Sequence, residues 1–311
     1  MIAAVGLACS NDYPEAVENV EFKPMLSEYN IYRSPARELI PADGFSVYEL
    51  SSQLFTDYAE KQRLISIPRG TQLQVTDDNL PEFPDSTVIV KTFYYPHDKR
   101  DLSRGKRIIE TRLLVKHGPL WNVATYVWNE DQTDAELVRS GLNTTVNWVD
   151  ESGHAQVISY HVPSTLECVT CHSSRGAVTP IGPKSRNLNR TVVRNGEDIN
   201  QLDYFRLLGL LTAAESSMIG TVPDHRDNTI DISQRARSYL DINCAHCHNS
   251  EGFARDLRLR LDYGTDLNNT AIPSAKDAIV RMMEKGKMPK LGTTVIDEDG
   301  LTLVKQYIKT L

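Results

Sequence analysis

No segment of this chain approaches the ~18 consecutive apolar residues needed to cross a bilayer, so no transmembrane helix is expected. Basic residues are outnumbered, 34 Lys and Arg against 41 Asp and Glu, for a formal net charge of −7. Without a basic stripe to neutralise phosphates, a nucleic-acid partner is excluded. No internal repeat is evident beyond one short motif. Nothing suggests disorder, and apolar residues at 40% suffice for ordinary cores in a length that allows two domains. Cysteine is scarce, five in 311 residues, yet four of the five fall in two pentapeptides of the form C-x-x-C-H.

The pentapeptides are CVTCH at 168–172 and CAHCH at 244–248. With 8 histidines in 311 residues, one follows a given cysteine by chance roughly once in 39 cases, and two such accidents have odds of about one in 1500. Covalent haem attachment needs this order: two thiols add to the porphyrin vinyl groups as thioethers, and the adjacent histidine turns under the ring to ligate iron. Cys168 with Cys171 and Cys244 with Cys247 would then hold two haems c. A tetrahedral zinc site is the first alternative, but zinc pairs usually stand about 15 to 20 residues apart, and a long stretch with a folded pattern separates these. A redox dithiol is the second. It would lead into a helix of a thioredoxin-like unit, and neither pair sits in that pattern.

The amino terminus reads MIAAVGLACSND, a short apolar run closed by Cys9. It resembles the tail of a bacterial lipoprotein signal, in which the cysteine becomes the lipidated first residue. Gly6 stands where leucine is typical, and no charged n-region precedes it. A plain apolar terminus with a free thiol is the other reading. Thioether attachment takes place on the oxidising side of the bacterial membrane, so an exported protein, periplasmic or at the outer membrane, is expected in either case.

Four stretches are expected: 1–20 as signal-like terminus and linker, 21–163 as a β-rich domain, 164–227 as a first haem-binding segment, and 228–311 as a helical domain. Turn signals and a short helix near 51–62 open the second stretch. Short β-branched and aromatic runs then predict strands over 87–95, 107–116, 121–128, 144–149 and 156–162, an antiparallel sandwich or barrel with Trp121, Tyr126, Trp128 and Trp148 in its core.

In the last stretch Ile232, Ala236, Tyr239 and Leu240 make one helical face and deliver Cys244 at the helix end. Forty residues after His248 comes GKMPKLG, where Pro289 cannot continue the preceding helix. Leu301, Val304, Ile308 and Leu311 line a closing helix over 297–311. This order of helix, CxxCH, loop, helix, Met-Pro turn and closing helix resembles class I cytochrome c. The resemblance implies His248 as proximal ligand and the Met288 thioether as distal ligand, a pairing that raises the reduction potential.

At the first site His172 should be proximal, but no Met-Pro turn follows it before Cys244. Distal candidates are Met218, in the polar run SSMIG, and His225, His154 and His161; an open sixth position is a further alternative. His246, between two cysteines, is expected to point away from iron. Thr179 to Arg190, TPIGPKSRNLNR, is expected to wrap the haem edge, with its arginines and Lys184 either pairing with propionates or solvated.

Taken with LFTDYAEKQR, VKTFYYP, IETRLLV, TYVWNEDQTDA and YLDINCAHCHN, these motifs resemble a bacterial family of dihaem c-type cytochromes with a β-rich region ahead of two haem sites. The resemblance spans residues 26–311. It implies a multidomain fold, an antiparallel β-sandwich-like domain followed by a mainly α-helical cytochrome c-like region, with two covalent haems c and His172 and His248 as proximal ligands. Three functions stay open: electron transfer with an unidentified redox partner, a peroxidase-like dihaem enzyme with an open iron at Cys168, and a β-sandwich binding module with a redox appendage. The sequence favours the electron carrier over the catalyst, because no acid/base pair is visible beside the first site. In a host that exports the protein, mass spectrometry of the mature amino terminus is expected to find Cys9 as an acylated first residue.

Overall fold

The computed structural model of the protein describes residues 20–212 and 216–311. The β-branched and aromatic runs pair into one antiparallel six-stranded sheet: β1 (Ser46–Val47), β2 (Glu60–Ser66), β3 (Val88–Pro96), β4 (Lys106–His117), β5 (Leu120–Trp128) and β6 (Ala135–Val138). Spatial order equals chain order, so each strand folds back on its predecessor through a local connection. β7 (Leu142–Val149) and β8 (Ala155–Val162) form a separate hairpin.

Alternation along the strands makes the two faces of the sheet different. Leu64, Val90, Leu113 and Ala124 lie in register across β2 to β5, each 3% exposed or less. They pack against Phe22, Leu26, Ile31 and Leu39 of the amino-terminal wrap. The other face has three bands. At one end Ile65, Ile89, Leu114 and Trp121 bury themselves against Leu188, Leu202, Phe205 and Leu211. At the other end Phe93, Tyr95 and Ile109 pack on Val146, Trp148, Ile158 and Tyr160 of the β7–β8 hairpin. Between them runs a charged band, Arg63, Lys91 and Arg112, again in register.

The hairpin is therefore a second layer over only part of the sheet, and helical segments cover the rest. These begin with α1 (Thr165–His172), β9 (Ser173–Ser174), β10 (Ala177–Val178) and α2 (Ser185–Leu188). β11 (Thr191–Arg194), β12 (Glu197–Asn200) and α3 (Gln201–Leu207) follow. Residues 164–227 share the sheet's core rather than forming one of their own, and the Leu73 N–H even donates to the Leu210 carbonyl at 2.8 Å. The four tryptophan and tyrosine residues expected inside are 8% exposed or less. The helix expected near 51–62 does not form. Asp57 and Tyr58 adopt left-handed backbone angles, the N–H groups of Ser51 and Ser52 go to Asn187, and the chain enters β2 at Glu60. Tertiary bonding has overridden local propensity there.

A second core gathers α4 (Ile232–Asn243), α5 (Leu267–Thr270), α6 (Ile272–Glu284) and α7 (Glu298–Ile308). Ala236, Tyr239 and Leu240 of α4 meet Leu301, Val304 and Tyr307 of α7, with Ile272 and Met283 of α6 closing the side. Among the described residues no helix is long and apolar enough to cross a membrane. The α4–α7 contact depends on Gly300, where a Cβ would overlap the ring of Tyr239, itself 1% exposed. Alanine is the better helix former by up to ~1 kcal/mol, but the overlap costs about 1–3 kcal/mol. Gly300→Ala is therefore expected to lower the free energy of urea unfolding; equal or greater stability would show that the two helices separate freely.

Candidate functional site

The first pentapeptide sits on α1 because Ser164 and Glu167 form a reciprocal cap. The Ser164 Oγ accepts from the Glu167 N–H at 3.3 Å while the Glu167 carboxylate accepts from the Ser164 N–H at 2.8 Å. His161 holds the same carboxylate at 3.0 Å. Val169 then docks on Val123 of β5, and Cys168 is buried beside it. Cys171 and His172 follow on the last turn. The β9–β10 ribbon brings the Thr179 carbonyl 2.7 Å from His172 Nδ1. With Nδ1 donating to that oxygen, Nε2 keeps its lone pair free, the arrangement that orients a metal-binding imidazole.

Cys168, Cys171 and His172 open on a cleft of about 1070 Å³, its solvent-open mouth included. Pro180, Ile181 and Pro183 form one side, and Ile242, Asn243 and His246 enter from α4 and the second pentapeptide. The sheet supplies Tyr48, Ile89 and Leu114 together with the charged band Arg63, Lys91 and Arg112. Like charges directly opposite one another on neighbouring strands are destabilising. Arg63 has one weak acceptor, Gln53 Oε1 at 3.4 Å, and Lys91 lies 4.8 Å from the Phe93 ring centroid. Among the described residues neither forms an ion pair with a carboxylate. Burial drives the Lys91 ammonium well below its ordinary range, and Arg63, Lys61 and Arg112 push it the same way. Burial and Arg63 likewise bring Lys61 down to about 7. Only Arg112 is compensated: the fully buried Glu110 accepts from its Nε at 2.9 Å and from the Tyr160 hydroxyl at 2.6 Å.

All four motif cysteines are free thiols. Burial raises Cys171 and Cys244 to about 12 each and Cys247 to about 11. The two pentapeptides are neighbours, since Cys168, Cys171 and His172 share the cleft with His246. Glu251, just beyond the second, accepts hydrogen bonds from Arg175 and from Ser174 in the ribbon beyond the first. Thiols this basic do not suit a redox dithiol, whose attacking sulfur needs a lowered pKa. Among the described residues no three His, Cys, Asp or Glu side chains converge as metal ligands, which a tetrahedral zinc site requires. Haem iron asks only one or two ligands of the chain.

The structure does not bring the remaining distal candidates to this cleft. Met218 is 80% exposed. His225 is bonded to Ser52 Oγ at 2.6 Å and packs edge-on against Tyr239; His161 is shared between Asn143 and Glu167; His154 is a surface side chain beside Asp150. The 179–190 segment does line the cleft, but its cations are spent elsewhere. Lys184 pairs with Asp241 of α4 at 2.7 Å, and Arg186 donates to the Asp78 carbonyl at 3.1 Å. At the second pentapeptide, His248 is 9% exposed with Nδ1 unpartnered. Met288 borders a smaller cavity of about 410 Å³ with Tyr239, Met283 and Pro289, and His248 is not among its lining residues. Cys9 lies outside the described residues. Sequence reasoning missed the cation row, since it depends on register, and it missed His246 on the first cleft.

No family model, curated protein or solved structure matches the chain.

The cap on α1 has a pH signature. Burial opposes ionisation of Glu167, but the bonds from Ser164 and His161 prevail and hold its carboxyl below the ordinary value. The stabilisation is thus complete above the unfolded glutamate value of about 4.3 and is lost as pH falls through the lower folded value. Glu167→Gln is expected to destabilise the protein at pH 7 and to bring a smaller loss at pH 3 in urea unfolding; the same loss at both would sink this reading.

Proposed function

We propose that the protein is a dihaem c-type cytochrome that carries electrons outside the cytoplasm, one haem lying in the cleft at Cys168 and the other at the Cys244 motif. The observation that carries this reading is the lining of the cleft. Two adjacent thiols and an imidazole with a free Nε2 share it with Arg63 and Lys91, neither of which forms an ion pair with a carboxylate among the described residues. A haem is an apolar disc with two carboxylates, so it matches both the apolar and the charged part of that lining. When bound, it supplies a one-electron iron couple.

The residues divide the work. Cys168 and Cys171 would anchor the porphyrin as thioethers, and the Thr179 carbonyl, by holding His172 Nδ1, would leave Nε2 free to bind the iron. Arg63 and Lys91 would meet the propionates, charge-assisted bonds that are about twice as strong as neutral ones. Ile89, Leu114 and Ile181, which line the cleft, would exclude water from the ring. Cys244, Cys247 and His248, with Met288 as thioether ligand, would hold the second group; helix order and the Met-Pro turn support this, and His/Met ligation favours ferrous iron. The nearness of the two pentapeptides suits electron exchange between the two groups.

A carrier fits better than a catalyst. The one carboxylate on the cleft, Glu167, is committed to the α1 cap, so among the described residues no free carboxylate base stands beside the first site. The compartment follows from the chemistry of attachment, with an unidentified redox protein as partner and a lipid on Cys9 as possible anchor.

Protein matured in a host that attaches haem c is expected to carry two covalent haems per chain by pyridine haemochrome assay, both low spin. Cys168→Ser with Cys171→Ser is expected to halve the count. Colourless or zinc-loaded protein would overturn the proposal. A high-spin ferric fraction near half that shifts with cyanide or peroxide would favour the peroxidase-like enzyme.

A further inference from the structure

We infer that His246, the residue between the two cysteines of the second pentapeptide, is the sixth ligand of the iron held at Cys168 and Cys171. The inference rests on the haem reading of the cleft. It reverses the expectation that this side chain turns away from iron.

The turn after α4 explains the orientation. The Leu240 carbonyl accepts from both Cys244 and Ala245 N–H groups at 3.0 Å, ending the helix, and the Cys244 carbonyl then takes the Cys247 N–H at 3.1 Å and the His248 N–H at 2.9 Å. This tight turn sends its side chains to different places. Ala245 is 1% exposed in the carboxy-terminal core. His248 is also buried, and its carbonyl accepts from the Leu261 N–H at 3.0 Å. His246 alone of the two histidines opens on the first cleft, which it shares with His172.

Elimination supports the assignment. No methionine lines the cleft, and the side chains there with nitrogen donors for low-spin iron are His172, His246 and Lys91. His172 belongs to the attachment motif. Lys91 sits in the cation row, where a propionate is its natural partner. His246 Nδ1 is enclosed and no side chain claims the ring, the polar group that reaches it being the Ile242 backbone carbonyl. Two imidazoles would close the first iron to small ligands, in keeping with a carrier. The axial ligand would also be covalently next to Cys247, an anchor of the second haem, giving a short through-bond path between the two groups.

The test uses the full-length holoprotein, with haem content established first: two haems per chain must be present, and colourless protein would sink the cytochrome reading rather than this ligand. Wild type is expected to give two low-spin ferric signals by electron paramagnetic resonance. His246→Ala is expected to turn about half of the haem high spin, to leave the methionine-to-iron charge-transfer band intact, and to recover the low-spin signal on adding imidazole. If alanine prevents attachment, His246→Met decides, with a low-spin first haem at a raised potential expected. The assignment is overturned if wild type already has a high-spin first haem, if neither substitution changes that haem's signal, or if Lys91→Ala removes the low-spin signal instead.

Discussion

The repulsion among Arg63, Lys91 and Arg112 is the constraint around which the rest of this structure is arranged. Register places them directly opposite one another on three neighbouring strands. At a strand spacing of about 4.8 Å and an effective dielectric near 20, two full charges so placed would repel by about 3 kcal/mol, and burial together with this repulsion drives the Lys91 ammonium well below its ordinary range. Glu110 neutralises one of the three and is itself saturated by Arg112 and Tyr160. The sheet could have filled this band with the Val and Ile that flank it. Keeping two cations there, in a partly enclosed cleft, makes sense when an anionic group with apolar bulk completes the wall. A porphyrin with two propionates has that composition, and on the proposed reading the neighbouring thiols and imidazole would supply its other attachments.

Polar contacts, more than a shared apolar core, set the carboxy-terminal unit against this wall. The Asp57 carboxylate accepts from the Thr294 N–H at 2.8 Å and from the Val295 N–H at 3.3 Å, while the Asp57 carbonyl accepts from the Tyr95 hydroxyl. One residue thus ties the segment after Met288 to the sheet. The Phe55 N–H donates to Asn243 at the end of α4, and Lys184 reaches Asp241 two residues earlier. Hydrogen bonds at buried positions are directional and costly to leave unmade, so they fix orientation where apolar contact would permit sliding. The two pentapeptides consequently meet at a defined place although about seventy residues separate them.

What could be read from the chain follows from which signals are local. Strands β3, β4, β5, β7 and β8 were legible within a few residues because their alternation repeats every two positions. α4 and α7 were legible because their apolar faces repeat at helical spacing. The helix expected near 51–62 failed because left-handed angles at Asp57 and Tyr58, and bonds to Asn187, are tertiary facts. That error also hid β2, and with it the register that sets Arg63 against Lys91. The motif cysteines could be named from spacing alone. The distal ligand proposed for the first iron could not, since His246 is remote in sequence from Cys168, and Met218 was a candidate only while its 80% exposure was unknown.

The pentapeptide itself shows how one motif can serve two sites. Attachment chemistry specifies the cysteines and the histidine and leaves the two intervening positions free. In the first motif those positions go to local structure: Val169 packs on Val123, and the Thr170 hydroxyl donates back to the Leu166 carbonyl at 2.8 Å. In the second, Ala245 is small enough for the α4–α7 core, while His246 reaches out of it to the other cleft. On the proposed reading, a residue with no role in attaching its own haem would thereby be available to the neighbouring one. If the pair of sites works as a unit, the link is encoded at the position that the attachment chemistry leaves unspecified.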